Sequence, residues 1–401
     1  MRFLLKYICC TGDICDRVFL KFYKPLLLIG ILLTFTFYTY FSLKNAAAWD
    51  GWVIGDWLIN FSGGFVRRGL LGEFILFTAS VSGLKANSIV SFLQITMCLM
   101  LCILIVALLY NRKIGFWYFF WFTYPGFLAF YIFDKAAVGR KEIILITLFA
   151  FWVLYLQKKP KFSLILIAAI GVGAVLTTLA HELFAFYTCY FVFVAYLSYE
   201  HDFKTVQFSL IIPIASICTL IALLLFSGSL NNPEICDRLL NVGAKKEVCK
   251  GILSWKETTA AHAFINFSSN FSLKTLLGFL LIPCVILGPA GLVIYSSNPE
   301  KFSHYMAIVM ALIIFSLPLF FLAIDWGRWV HIHVSLLLLA FTQILKDDKI
   351  GDPVQTGTHI SSFAYFFAIT FGSIILLTSS FWILRHCCTY AFFEPRLQIS
   401  F

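Results

Sequence analysis

Charge in this chain sits at the ends of long apolar runs, and the middles of those runs are almost bare of it. A helix needs about 20 largely apolar residues to cross the hydrocarbon core of a bilayer. Runs of that kind lie near 25–43, 88–110, 114–133, 142–157, 162–180, 183–199, 206–226, 275–297, 304–324, 329–345 and 361–384, eleven in all. Only 12% of the 401 residues are Asp, Glu, Lys or Arg, about half the share a soluble protein carries. So little charge cannot coat a water-facing surface, which excludes a soluble globular enzyme and a disordered chain. The net charge of +10 has no basic face to carry it, which excludes a nucleic-acid partner. The expected fold is an all-α polytopic transmembrane helical bundle of about eleven spans, forming a single integral membrane domain over 1–401.

Orientation follows from the basic residues in short loops. Arg2, Lys6, Arg17, Lys21 and Lys24 precede the first span and place residues 1–24 in the cytoplasm. No small-residue cleavage site follows that span, so it reads as an anchor. Alternation then puts Arg112, Lys113, Lys158, Lys159, Lys161, Lys204, Lys301, Lys346 and Lys349 on the inner side. The first outer loop covers 44–87, and its apolar stretch 69–84, which contains Glu73, reads as interfacial or re-entrant; were it to cross, every later turn would invert. A large outer loop covers 227–274. No internal repeat, soluble domain or GxxxxGK[ST] loop occurs, which argues against an ATP-driven pump.

Of the twelve cysteines, Cys98, Cys102, Cys189, Cys218 and Cys284 lie inside apolar runs and read as small hydrophobes. Cys9, Cys10 and Cys15 lack the companions of a zinc site. Cys236 and Cys249 share the large outer loop and are the disulfide candidates, with two free thiols as the alternative. Asn60, Asn266 and Asn270 begin N-x-S triplets that arise readily by chance.

The polar residues gather at one end of the spans. The first outer loop holds Asp50, Asp56, Arg67, Arg68 and Glu73. Asp134, Lys135, Arg140, Lys141 and Glu142 follow the third span. His181 and Glu182 fill a turn of almost no length. Asp325 and Arg328 stand three apart, as a helical ion pair would, with His331 and His333 further along. Each cluster alone is compatible with charges and Trp residues anchored at the headgroups. Their coincidence on one face is what points to function. In the first loop, Trp52, Val53, Trp57, Leu58 and Phe61 could lie flat on the bilayer. Gly63-Gly64 and the guanidiniums that follow could present N–H groups and fixed charge to a phosphate.

A site on the outer face has no cytosolic nucleotide sugars, so its donors must be carried in the membrane. Glycosyl transfer from a polyprenyl-linked phosphate needs a carboxylate to take the acceptor proton and cations to stabilise the departing phosphate or diphosphate. Asp56 or Asp50 fits the first role, and Arg67, Arg68, Arg140, Lys141 and Arg328 fit the second. Glu73, Asp134, Glu142, His181, Glu182, Asp325 and His331 are candidates for the acceptor or for support. No cofactor is required, and a divalent metal is compatible with the carboxylates.

In this organisation the chain resembles the polytopic lipid-dependent glycosyltransferases of the GT-C class and the bacterial O-antigen polymerases. The resemblance lies in a first span leading into a long outer loop with Asp50 and Asp56, followed by many spans. It implies a catalytic carboxylate in that loop, a multi-pass place in a bacterial inner membrane with a periplasmic active face, and a role in surface polysaccharide or lipopolysaccharide biosynthesis. It also implies membrane lipid and a polyprenyl-linked saccharide as partners, and allows a membrane protein that regulates chain length. The adjacent acidic pair common in that loop is absent here. The alternatives are a flippase or exporter of lipid-linked saccharides, which needs a polar path through the spans, and a membrane acyltransferase.

Overall fold

The computed structural model describes residues 2–112, 127–134, 137–158, 163–199, 203–228, 232–254, 299–322 and 325–345, with a few isolated positions besides. The expected runs 275–297 and 361–384 and the sequons at Asn266 and Asn270 lie largely or wholly outside these residues, as does Lys135.

The architecture is all-α. In chain order the helices are α1 (Arg2–Ala48), the short α2 (Ile54–Trp57), α3 (Gly69–Ser82), α4 (Ala86–Leu109), α5 (Phe130–Phe133), α6 (Glu142–Gln157) and α7 (Leu164–Ala180). A 3-10 turn at Glu182–Tyr187 leads into α8 (Cys189–Ser198), then α9 (Phe203–Ser209), α10 (Ile211–Phe226) and α11 (Pro233–Asn241). Two 3-10 turns (Lys246–Lys250 and Ile252–Ser254) follow, and later α12 (Phe302–Leu322) and α13 (Trp326–Ala340).

Four helical stretches among the described residues are long and apolar enough to cross a membrane: Phe22–Ala48, Ala86–Leu109, Lys204–Phe226 and Phe302–Phe321. Their outward side chains are as apolar as their cores, with Phe92, Ile103, Leu224 and Phe226 all exposed. Water does not support such a surface, and lipid does. The helices Gly69–Ser82, Glu142–Gln157 and Leu164–Ala180 are apolar but shorter. At 1.5 Å per residue they reach only about 21 to 26 Å, against a hydrocarbon core of ~30 Å. The run read as one span at 183–199 opens with the 3-10 turn, because His181 adopts an extended backbone (φ −158°, ψ 109°) that ends α7.

The chain divides into two compact units. One comprises Phe35–Leu104 and Lys135–Asn270. Here α7 packs along α10 and against α3 and α6. Its sequence LILIAAIGVGAVLTTLA supplies the small residues that let apolar helices approach closely in lipid. Ser163 caps α7 by accepting the Leu166 N–H, one of the orphan donors of a first helical turn. A second core lies under the first loop, where Val53, Ile54, Trp57, Leu58 and Ile59 pack with Ile235, Leu239, Val248 and Leu253. The residues read as lying flat on the bilayer are therefore mostly internal; of them, only Trp52 is exposed. Segment 232–254 covers that face.

The other unit comprises Met1–Thr34, Ile105–Asp134 and Phe271–Phe401. All of α13 is buried, including Arg328, His331 and His333. His331 stacks on Phe130 and meets the Tyr131 hydroxyl at 3.2 Å, while His333 meets the Ser316 hydroxyl at 2.6 Å. Asp325 and Arg328 form the i,i+3 ion pair at 2.8 Å. Asp134 ends α5 in this same unit.

Candidate active site

The first loop is built by close backbone approach. A side chain at Gly72 would run into the Ile59 carbonyl, and one at Gly251 into the backbone of Gly51. Glycine at these positions brings α3 and the 246–254 segment directly onto the strip of chain that carries α2. The Gly51 carbonyl accepts from Ile252 N–H at 3.1 Å, and the Gly63 carbonyl accepts from the Asn232 side chain at 3.1 Å. The structure joins Cys236 to Cys249 in a disulfide, linking the two arms that grip this strip. Arg238 completes the grip with two bonds of 2.8 Å to Glu73 and a third to the Ser62 hydroxyl.

A second set of contacts aligns α2 with the start of α6. Gly139 takes φ +83°, where a Cβ would meet Gln94 and Val53. Its carbonyl accepts from the Trp57 indole at 2.7 Å and from the Gln94 amide at 2.8 Å. Gln94 in turn accepts from the Ser42 hydroxyl at 2.6 Å. Two fully buried side chains thus converge on one carbonyl, just before Arg140 and Lys141.

These supports bring charged residues from three stretches of sequence together. The carboxylate of Asp56 is buried, with the Arg68 guanidinium at 3.5 Å and the Lys141 ammonium at 3.7 Å. Among the described residues no hydrogen bond reaches either of its oxygens. Arg68 also grips Glu182 bidentately, at 2.8 Å through Nε and 2.8 Å through Nη2. Arg67 stands 3.8 Å from Glu182 with its side chain partly exposed, and His181 Nδ1 stands 4.0 Å from the same carboxylate. Lys141 donates to the Ala180 carbonyl at 3.1 Å. Arg140 donates to the Trp52 carbonyl at 2.7 Å. Arg68 takes φ +64°, a left-handed conformation that costs a side-chain-bearing residue roughly 1 to 2 kcal/mol. Such strain persists only where surrounding contacts hold it, and here the bidentate pair does.

Burial raises the pKa of Asp56, but Lys141, Arg68, His181 and Arg140 outweigh it and hold the carboxyl well below the usual carboxylate range. Burial pulls Lys141 down to about 8, against the opposing pull of Asp56. Around Asp56 and Glu182 stand four cations: Arg67, Arg68, Arg140 and Lys141. The balance stays positive even when neighbouring Glu142 is counted. A buried cluster of this kind suits an anionic ligand.

Seven of the residues singled out from the sequence therefore meet: Asp56, Arg67, Arg68, Arg140, Lys141, His181 and Glu182. Others do different work. Asp50 Oδ1 accepts the backbone N–H groups of Trp52 and Val53 at 2.9 and 2.7 Å, closing the turn into α2. Glu73 is engaged by Arg238, and Glu142 opens α6 beside Lys141. Asp134, Asp325, Arg328 and His331 belong to the other unit. The Gly64 N–H, read as a phosphate donor, already bonds the Phe61 carbonyl at 3.0 Å. Asn60 is buried, and its side-chain oxygen accepts from Ser62, so its sequon is part of the core.

Sequence reading missed Gln94, Trp57 as a donor, and Arg238. Gln94 had a signal: it is the one amide side chain in the run 88–110, and a polar group in such a run calls for a partner. Arg238 had none, since its partner lies 165 residues away. Among the described residues no group of His, Cys, Asp and Glu is arranged to hold a metal ion. No protein-family model, curated protein or solved structure matches the chain.

Proposed function

We propose that this protein is a membrane glycosyltransferase or glycan polymerase that uses polyprenyl-phosphate-linked sugars, with Asp56 as the general base. The observation that carries the reading is the state of Asp56: buried, ringed by cations at ion-pair distance, and, among the described residues, with no hydrogen bond on either carboxylate oxygen. A carboxylate placed for structure normally has its lone pairs filled. One with open lone pairs can accept the proton of an incoming hydroxyl.

In the proposed step an acceptor hydroxyl gives its proton to Asp56 while its oxygen bonds the anomeric carbon of the donor. The bond from that carbon to the phosphate oxygen breaks, and the lipid phosphate leaves with the electron pair. Arg67, the most exposed cation of the group, meets that growing negative charge. Arg68 is committed to Glu182 and Asp56, so it sets the field rather than gripping the donor. Asp50, engaged in its own turn, is not the base. The apolar exposed helices accommodate the lipid tail.

The same reading has about eleven spans, a cytoplasmic N-terminal segment, and the Asp56 cluster facing the periplasm of a bacterial inner membrane. The Cys236–Cys249 disulfide supports that side, because such bonds persist in oxidising compartments. The test is surface glycan in the host strain: Asp56→Asn, and separately Arg67→Ala, should leave unpolymerised or unextended glycan at normal protein levels. A normal glycan profile in Asp56→Asn refutes the proposal. Lipid-linked units stranded on the cytoplasmic face would point to a flippase instead.

A further inference from the structure

Sequence reading groups Lys141 with the phosphate-binding cations, yet its side chain is wholly buried. Its ammonium lies 3.7 Å from Asp56 Oδ1 and donates to the Ala180 carbonyl at 3.1 Å. The residue therefore touches two elements at once: α2, through Asp56, and the end of α7, where the chain turns into His181 and Glu182. Gly139, held by Trp57 and Gln94, fixes the backbone two residues before it.

We propose that Lys141 is a positioning residue, the internal cation that holds Asp56 ionised and ties it to the Ala180–Glu182 turn, and not a ligand for phosphate. The inference rests on the reading of Asp56 as the base and says what keeps that base in its working form. The charged and titratable groups around Asp56 are Lys141 and Arg140 at the start of α6, Arg68 before α3, and His181 in the turn after α7, with Glu182 behind Arg68. Arg68 divides its charge between Asp56 and the bidentate bond to Glu182. Lys141 pairs with Asp56 at 3.7 Å. Without Lys141, burial would act on Asp56 with the ammonium beside it gone, and the neutral acid would be favoured.

Dicyclohexylcarbodiimide reads this directly. It adds across a protonated carboxyl group to give an O-acylisourea, which rearranges to a stable N-acylurea; the carboxylate anion does not react. Full-length protein in lipid nanodiscs is treated with it from roughly pH 5 to pH 9, a range that brackets raised carboxyl pKa values, and the Asp56 peptide is weighed. Wild-type Asp56 should stay unmodified throughout. In Lys141→Met and Lys141→Gln, Asp56 should pass from unmodified at roughly pH 9 to at least half-labelled at roughly pH 5. Glu182, held by Arg68, should stay unmodified in the same samples, which general loosening would not allow.

Labelling of wild-type Asp56 near neutral pH overturns the proposal without any variant. So does an unmodified Asp56 in a Lys141 variant that keeps the wild-type proteolysis pattern. So does joint labelling of Asp56 and Glu182. The result is separable from the catalytic reading: a normal glycan profile in Asp56→Asn removes the base but leaves the carbodiimide outcome intact. Conversely, a failed labelling shift leaves the glycan phenotype standing.

Discussion

Replacing Arg68 tests the construction of the site most directly. Its guanidinium makes two bonds of 2.8 Å to Glu182, whose side chain is 4% exposed, and approaches Asp56 at 3.5 Å. Removing one partner of a buried pair typically costs about 3 to 5 kcal/mol, most of it the charge left behind. Arg67 and His181 stand within 4.0 Å of Glu182 and cushion the loss, so Arg68→Ala should fall near the lower end, about 3 kcal/mol. The backbone supplies an internal control. Because residue 68 sits at φ +64°, Arg68→Gly loses the same charge but relieves the strain, and should be more stable than Arg68→Ala by roughly 1 kcal/mol. Adding Glu182→Leu to Arg68→Ala removes the orphaned carboxylate and should recover part of the loss, a positive coupling of roughly 1 to 3 kcal/mol. Steric trapping of the folded protein in micelles measures all of these. If Arg68→Ala lies within about 1 kcal/mol of wild type, or if glycine is worse than alanine there, the buried-pair reasoning is wrong.

Other outcomes follow from the same contacts. Gly72→Ala would drive a methyl group into the Ile59 carbonyl and should cost several kcal/mol, seen as loss of the monodisperse peak in detergent chromatography. Breaking Cys236–Cys249 by Cys236→Ser with Cys249→Ser frees a loop with sequence separation 13 and should cost about 3 kcal/mol, with reductant lowering wild type but not the variant in a thermal melt. Lys141 titrates at about 8 in the fold against 10.5 for an ordinary lysine, so between those values the unfolded chain holds more protons and stability rises with pH. Lys141→Met should lack that alkaline rise in melts compared across the window. Asp56 behaves oppositely placed: its lowered pKa adds stability above about pH 4 that is lost on acidification below it.

The helical class was legible because hydrophobicity is local: a stretch such as 88–110 announces its solvent by itself. So was the pairing of Asp325 with Arg328, since three residues on a helix fix the geometry. Which clusters meet was not legible. Asp56, Lys141 and Glu182 are joined by helix packing, and nothing in their spacing distinguishes them from Asp325 and Arg328, which lie in the other unit. The roles within the cluster were hidden for a related reason. Lys141 reads like any cation at a span end, and only its burial against Asp56 separates it from Arg67. Trp57 and Leu58 mimic an interfacial stripe because a core under a loop and a surface on lipid ask for the same side chains.

The hold of segment 232–254 on the first loop sets the order in which the site can exist. The contacts Asn60–Ile235 and Gly63–Asn232 span 175 and 169 residues. During synthesis the loop bearing Asp56 emerges long before its cover, with Val53, Trp57 and Leu58 still lacking the residues that bury them. Until residue 249 has appeared and its sulfur has met Cys236, the loop has neither its lid nor its cross-link. The site is therefore completed late, and a chain stopped short of that point carries the charged residues without the surroundings that give them their chemistry.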